Sequence, residues 1–279
     1  MNTKNEYEYN KYNSIGKEEL KAAGEVVEKG ILSSFVGSWS PSFFGGEQVQ
    51  ALEQEMSRYF HVKHAISVNS WTSGLICAVG ALGLEPGDEV IVPTWTMSAT
   101  ATAILVWNCV PVFADIDRDT FCISIESVKK LITPKTRAII AVDIFGQSAD
   151  VESLKDICNE HHLFLISDSA QAPNAKRNNA FAGSLSDIGG ISLNYHKHIH
   201  SGEGGVIFTD NDEFALRMKL IRNHGEVVLS EMAQNERPKE VAGIVGFNFR
   251  LGEIEAAIAR QQLKKLDKLT KRRSEIAKQ

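Results

Sequence analysis

The chain has 279 residues, of which 43% are hydrophobic and 23% charged, and a formal net charge of -5. That size supports one large α/β domain with a substantial core and room for a smaller appendage. The acidic balance, with no basic stripe along the chain, leaves no electrostatic footprint for nucleic acid.

The start, Met1 to Tyr9, is polar and acidic, unlike a signal peptide. The apolar stretch 99–114 is interrupted by Asn108 and Pro111, so no run reaches the length of a membrane span. A cytoplasmic protein without membrane partners is expected. Cys77, Cys109, Cys122 and Cys158 are scattered with no CxxC pair, and all but Cys158 lie in or beside apolar segments. They read as small core side chains, not as a disulfide framework.

In chain order, an N-terminal segment with a helix occupies 1–45, and a large domain follows over 46–250. Within it, strands are expected at 64–69, 89–93, 110–116, 138–144, 163–168, 189–193 and 206–209. Helical periodicity falls at 46–59, 73–82, 99–107, 125–131, 151–161 and 213–222. Several strands are continuous apolar runs, as in sheets covered on both faces. The alternation predicts an α/β three-layer sandwich around a mostly parallel sheet. Residues 251–279 read as one long amphipathic helix that becomes highly charged at its end.

Ligands of such sheets gather beyond the carboxyl ends of the strands. Ser70, Trp95, Asp168 and the turn at 195–201 fall there. Lys197 follows a buried strand and precedes the glycine-rich turn 202–205. An amine so placed loses hydration and becomes nucleophilic towards a carbonyl; the plainer reading is a surface lysine. Asp168 ends a hydrophobic strand, where it either faces a cationic ring or caps a helix. Ser70, Trp71 and Thr72 open a helix and supply amides and hydroxyls for a phosphate, although such serines are more often simple caps. Ser192 offers a further hydroxyl, and Gln171 either meets a ring oxygen or faces solvent. His196, His198 and His200 alternate around Lys197 without carboxylate or cysteine partners, which disfavours a metal site. The 202–205 turn precedes a strand instead of opening a helix, which argues against a dinucleotide fold.

Together the segments 92–100, 111–116, 167–171, 192–197, 202–205, 223–225 and 248–257 resemble the DegT-type sugar aminotransferases, a branch of the fold-type I pyridoxal phosphate enzymes. The resemblance runs from Gly45 to the end of the chain. It implies that Lys197 binds the cofactor covalently and shuttles a proton, and that Asp168 pairs with the pyridinium. It further implies that Gln171 meets the phenolic oxygen, and that Ser192 with the Trp71 and Thr72 amides holds the phosphate. Met97 or Trp95 would cover the ring face, where many relatives carry an aromatic side chain. Asn248, and more weakly Arg250, would reach the site of a dimer partner. The implied reaction moves an amino group from glutamate to a keto-sugar, nucleotide-linked or an eight-carbon sugar acid, in surface polysaccharide synthesis. Such relatives continue into a small C-terminal domain, so a chain lacking most of that domain is expected. Two other readings are a related sugar dehydratase, in which a histidine replaces the lysine, and a non-catalytic binding homologue.

Overall fold

A computed structural model describes residues 13–38, 40–225 and 244–279. The acidic start therefore lies outside the described residues. Helix α1 (Lys17–Lys29) is followed by α2 (Glu47–Phe60), β1 (His64–Val68), α3 (Trp71–Ala81), β2 (Glu89–Pro93), α4 (Ser98–Leu105) and β3 (Val110–Ala114). Next come α5 (Ile125–Leu131), β4 (Thr136–Val142), α6 (Val151–His161) and β5 (Phe164–Asp168). A two-stranded hairpin, β6 (Lys176–Arg177) with β7 (Ala180–Phe181), precedes β8 (Ile188–Ser192), β9 (Gly205–Thr209) and α7 (Asp212–Arg222). The chain then runs through α8 (Glu253–Leu263) and α9 (Leu266–Ala277).

Seven strands form one sheet in the order β1-β9-β8-β5-β4-β2-β3. Adjacent strands are parallel from β8 through β5, β4 and β2 to β3. Strand β9 alone of these runs against its neighbours β1 and β8. The expected sheet is thus present with one reversed strand, because the irregular segment 193–204 after β8 folds back and returns the chain directly alongside it.

Alternate side chains divide between the two faces. Val90, Val92, Ile140, Ile166 and Ile207 pack with α3, α4 and α7. Ile91, Ile139, Ala141 and Leu165 meet α6, while Ile191, Val206 and Phe208 meet α2 and α8. This gives the helix–sheet–helix sandwich its two apolar layers. All four cysteines are buried and unbridged, Cys158 included. The tail departs from the single expected helix. It breaks at Lys264–Lys265, where the Lys265 amide bonds back three residues to Gln262 and a new helix begins at Leu266. Apolar periodicity continues across this break, so the pattern alone does not reveal it.

Candidate active site

The carboxyl ends of β1, β2, β4, β5 and β8 surround a cavity of about 480 Å³. Its wall includes Ser70, Trp71, Thr72, Met97, Asp168, Gln171, Ser192 and Lys197. Eight of the ten residues singled out in the sequence therefore converge there, drawn from separate segments.

Asp168 forms the floor. It is 5% exposed and accepts the Trp71 indole N–H at 2.6 Å, the Thr100 hydroxyl at 3.1 Å and the Ala170 amide at 3.2 Å. Thr100 is in turn 2.8 Å from the Thr96 hydroxyl. Burial pushes the Asp168 carboxyl above its ordinary range, while these hydrogen bonds and the charge of Lys197 pull the other way. The indole is held by a slot that only glycines permit. A side chain at Gly190 would approach the Trp71 ring to 2.4 Å, and one at Gly205 would lie 2.9 Å from its backbone. The sequence signalled Trp71 as a backbone donor, but its ring bond to Asp168 and the part played by Thr100 went unseen.

Lys197 is half-buried in the turn beyond β8, its backbone amide bonded to the Asn194 carbonyl at 2.9 Å. Burial lowers its pKa, and Asp168 opposes that shift. More neutral amine is therefore available than on an exposed lysine. Ser70 caps α3 by accepting the Ser73 amide at 3.1 Å, so its side chain fills the plainer role while still lining the cavity. The α3 amides of Trp71 and Thr72 precede the first helical hydrogen bonds and lie at the cavity wall, an arrangement suited to an anion. Ser192 accepts the Asn194 amide at 3.2 Å. Gln171 accepts the Phe145 amide at 2.9 Å through its side-chain oxygen, which leaves its amide nitrogen free to donate. Phe145 adopts φ 54°, a conformation unusual for a non-glycine residue.

Two sequence candidates lie elsewhere. Trp95 is not part of the wall; it is 50% exposed, with its ring 6.0 Å from that of Phe121. Met97 is the one that lines the cavity, at 68% exposure. Asn248 also lies outside the wall. Its side chain accepts from Arg250 at 2.9 Å, and Arg250 reaches His224 at 2.8 Å. The three histidines disperse because their segment is a turn and not an extended run: His196 lines the main cavity, His198 a neighbouring one, and the half-buried His200 neither of these two.

The wall fits pyridoxal phosphate. A buried carboxylate with no hydrogen-bonded cation among the described residues faces a space that also holds a desolvated amine and a helix N-terminus. These three suit a pyridine nitrogen, an aldehyde and a phosphate respectively. No described helix is long and apolar enough to cross a membrane.

The model of the DegT/DnrJ/EryC1/StrS aminotransferase family matches residues 25–279. The chain is 35% identical over 268 residues to the spore coat polysaccharide biosynthesis protein SpsC of Bacillus subtilis, covering 94% of this chain and 65% of that protein. It is 34% identical over 264 residues to GDP-perosamine synthase of Vibrio cholerae, covering 95% and 67%. Among solved structures, Helicobacter pylori PseC, an aminotransferase involved in the biosynthesis of pseudoaminic acid, superposes with a TM-score of 0.77 at 31% identity. That match covers 91% of this chain and 64% of PseC. The chain thus spans about two-thirds of the length of these relatives.

Proposed function

The chain belongs to the DegT/DnrJ/EryC1/StrS aminotransferase family, and on that premise we propose that it is a pyridoxal phosphate-dependent sugar aminotransferase. The donor is glutamate, and the acceptor is a keto-sugar, nucleotide-linked or an eight-carbon sugar acid, destined for surface polysaccharide. The observation that carries this reading is the desolvated Lys197 amine sharing one cavity with the buried Asp168 carboxylate. The names of SpsC and GDP-perosamine synthase support the direction of the reading.

Bound pyridoxal phosphate supplies an aldehyde that condenses with amines and a ring that withdraws electrons from the adjacent carbon. In this assignment Asp168 holds the pyridine nitrogen protonated. Thr100 and Trp71 keep the carboxylate aimed. The α3 N-terminus and Ser192 hold the phosphate, and Gln171 donates to the phenolic oxygen. Lys197 Nζ would be the covalent anchor when linked and the proton carrier when free, its lowered pKa easing both the uptake and the return of a proton. Met97, which lines the cavity, would cover the ring face. In sum, glutamate and the ketone exchange amine for oxygen, giving 2-oxoglutarate and an amino-sugar.

Residues 46–250 form the cofactor domain, with the 1–45 segment before it and the 251–279 helices after it. We assign the protein to the cytoplasm as a homodimer in which Asn248, outside its own cavity, serves the partner's site.

The test is a visible spectrum of the purified chain with pyridoxal phosphate, before and after glutamate, beside Lys197→Ala. A yellow species that glutamate bleaches, absent from the variant, supports the transaminase. Loss of water from a sugar without net transfer from glutamate would instead identify a dehydratase. A folded chain that never turns yellow would favour a non-catalytic homologue.

A further inference from the structure

Beside the main cavity lies a second, of about 300 Å³, between the Phe145–Gly146 turn, the 171–175 segment and helix α9. Gln171 lines both, and Lys197 faces the first while its neighbour His198 faces the second. The two spaces therefore meet at the residue assigned to the cofactor's oxygen.

The smaller cavity is electropositive. Arg273 of α9 reaches it from an exposed position and makes no ion pair or hydrogen bond with any described residue. His198 and Ser274 also line it, and neither side chain has a hydrogen-bond partner among the described residues. Asn174 and Thr270 are engaged: Asn174 donates to Thr270 at 2.8 Å and to Asp267 at 3.1 Å, while Asp267 also accepts from Tyr59. No carboxylate among the described residues lines the cavity. Burial, together with the charges of Arg273 and Lys197, lowers the His198 pKa to about 4. The ring is thus neutral at physiological pH, with one N–H to give.

We propose that Arg273, with His198 and Ser274, forms the anion-binding end of the substrate cavity, holding a carboxylate or phosphate of a substrate whose reacting carbon lies at Lys197. An unpaired guanidinium beside neutral donors matches the fork geometry of either anion. This inference rests on the aminotransferase reading. It adds which part of the substrate is read and by which residues.

Two non-reacting anions test it by calorimetry on the chain supplied with pyridoxal phosphate. Glutarate stands for the donor's carboxylates, and uridine diphosphate stands for the phosphates of a nucleotide-linked sugar. Arg273→Ala is expected to weaken one of them about tenfold or more, as for a lost charge-assisted bond, and Arg273→Lys to recover part of that loss. Selective loss of glutarate assigns the site to the donor, and selective loss of uridine diphosphate assigns it to the acceptor. Unchanged binding of both in Arg273→Ala, or no binding of either by the wild type, would overturn the proposal. The visible spectrum separates the two ideas. A wild type that stays colourless sinks the aminotransferase reading, and the calorimetric comparison still decides the anion site on that same chain.

Discussion

At the floor of the cavity Asp168 is 5% exposed and bound by an indole, a hydroxyl and an amide, whereas Met97 on the rim is 68% exposed and sits just before α4. The floor is built on strand ends whose register is fixed by the sheet, with Asp168 opposite Val142 on one side and Gly190 on the other. The rim is carried by the irregular segment between β8 and β9 and by the start of α4. Preorganisation is thus concentrated where a charge must be buried, and adaptability where substrate enters.

If that contrast is right, the largest effect should follow from the floor. Asp168→Asn keeps the shape and removes the charge, so cofactor retention is expected to fall by about 2–5 kcal/mol, as when one member of a buried charge pair is lost. Absorbance titration with pyridoxal phosphate measures it, and an unchanged affinity would break the comparison.

Next comes the carboxylate behind the floor. Asp143 is 1% exposed and accepts the Ser169 hydroxyl and, at 2.8 Å, the Ala149 amide. Burial raises its pKa from 3.8 to about 6, with the charge of Asp168 adding to the rise. The folded state therefore binds this proton more tightly than the unfolded chain. Its contribution to stability is complete below the unfolded value and disappears as pH climbs through about 6. Over that window it amounts to about 3 kcal/mol. Denaturation of Asp143→Asn across the same pH range should show a flatter profile than the wild type.

A smaller change sharpens the floor itself. Trp71→Phe removes the indole donor to Asp168, an effect of about 1.5–3 kcal/mol for a bond to a charged group. Both thermal stability and cofactor affinity should fall. The smallest stability effect belongs to the rim: Met97→Ala, at a 68% exposed position, should leave stability within about 0.5 kcal/mol. Cofactor affinity should shift more than stability does. A Met97 variant that unfolds would contradict the division between floor and rim.

The strands and most helices were legible because continuous apolar runs and helical spacing report burial directly. The helices at 125–131 and 151–161 match α5 and α6 to the residue. The direction of β9 was not legible, since a short buried run carries the same pattern in either orientation. Lys197, Asp168, Gln171 and Ser192 could be placed because each sits at or just beyond a strand end. The indole bond from Trp71 depends instead on the missing side chains of Gly190 and Gly205, which sit more than a hundred residues away in sequence. Trp95 and Met97 could not be separated by pattern either. They are two residues apart in a connection, and only the backbone path into α4 turns one to the cavity and the other towards Phe121.

The most direct measurement is chemical trapping of the Lys197 amine. The chain is mixed with pyridoxal phosphate, reduced with borohydride, digested and mapped by mass spectrometry. A single phosphopyridoxyl group on Lys197, lost when glutamate is added before reduction, is the expected result. Labelling of another lysine, or of none in a folded chain, would contradict the assignment of Lys197 as the reactive amine.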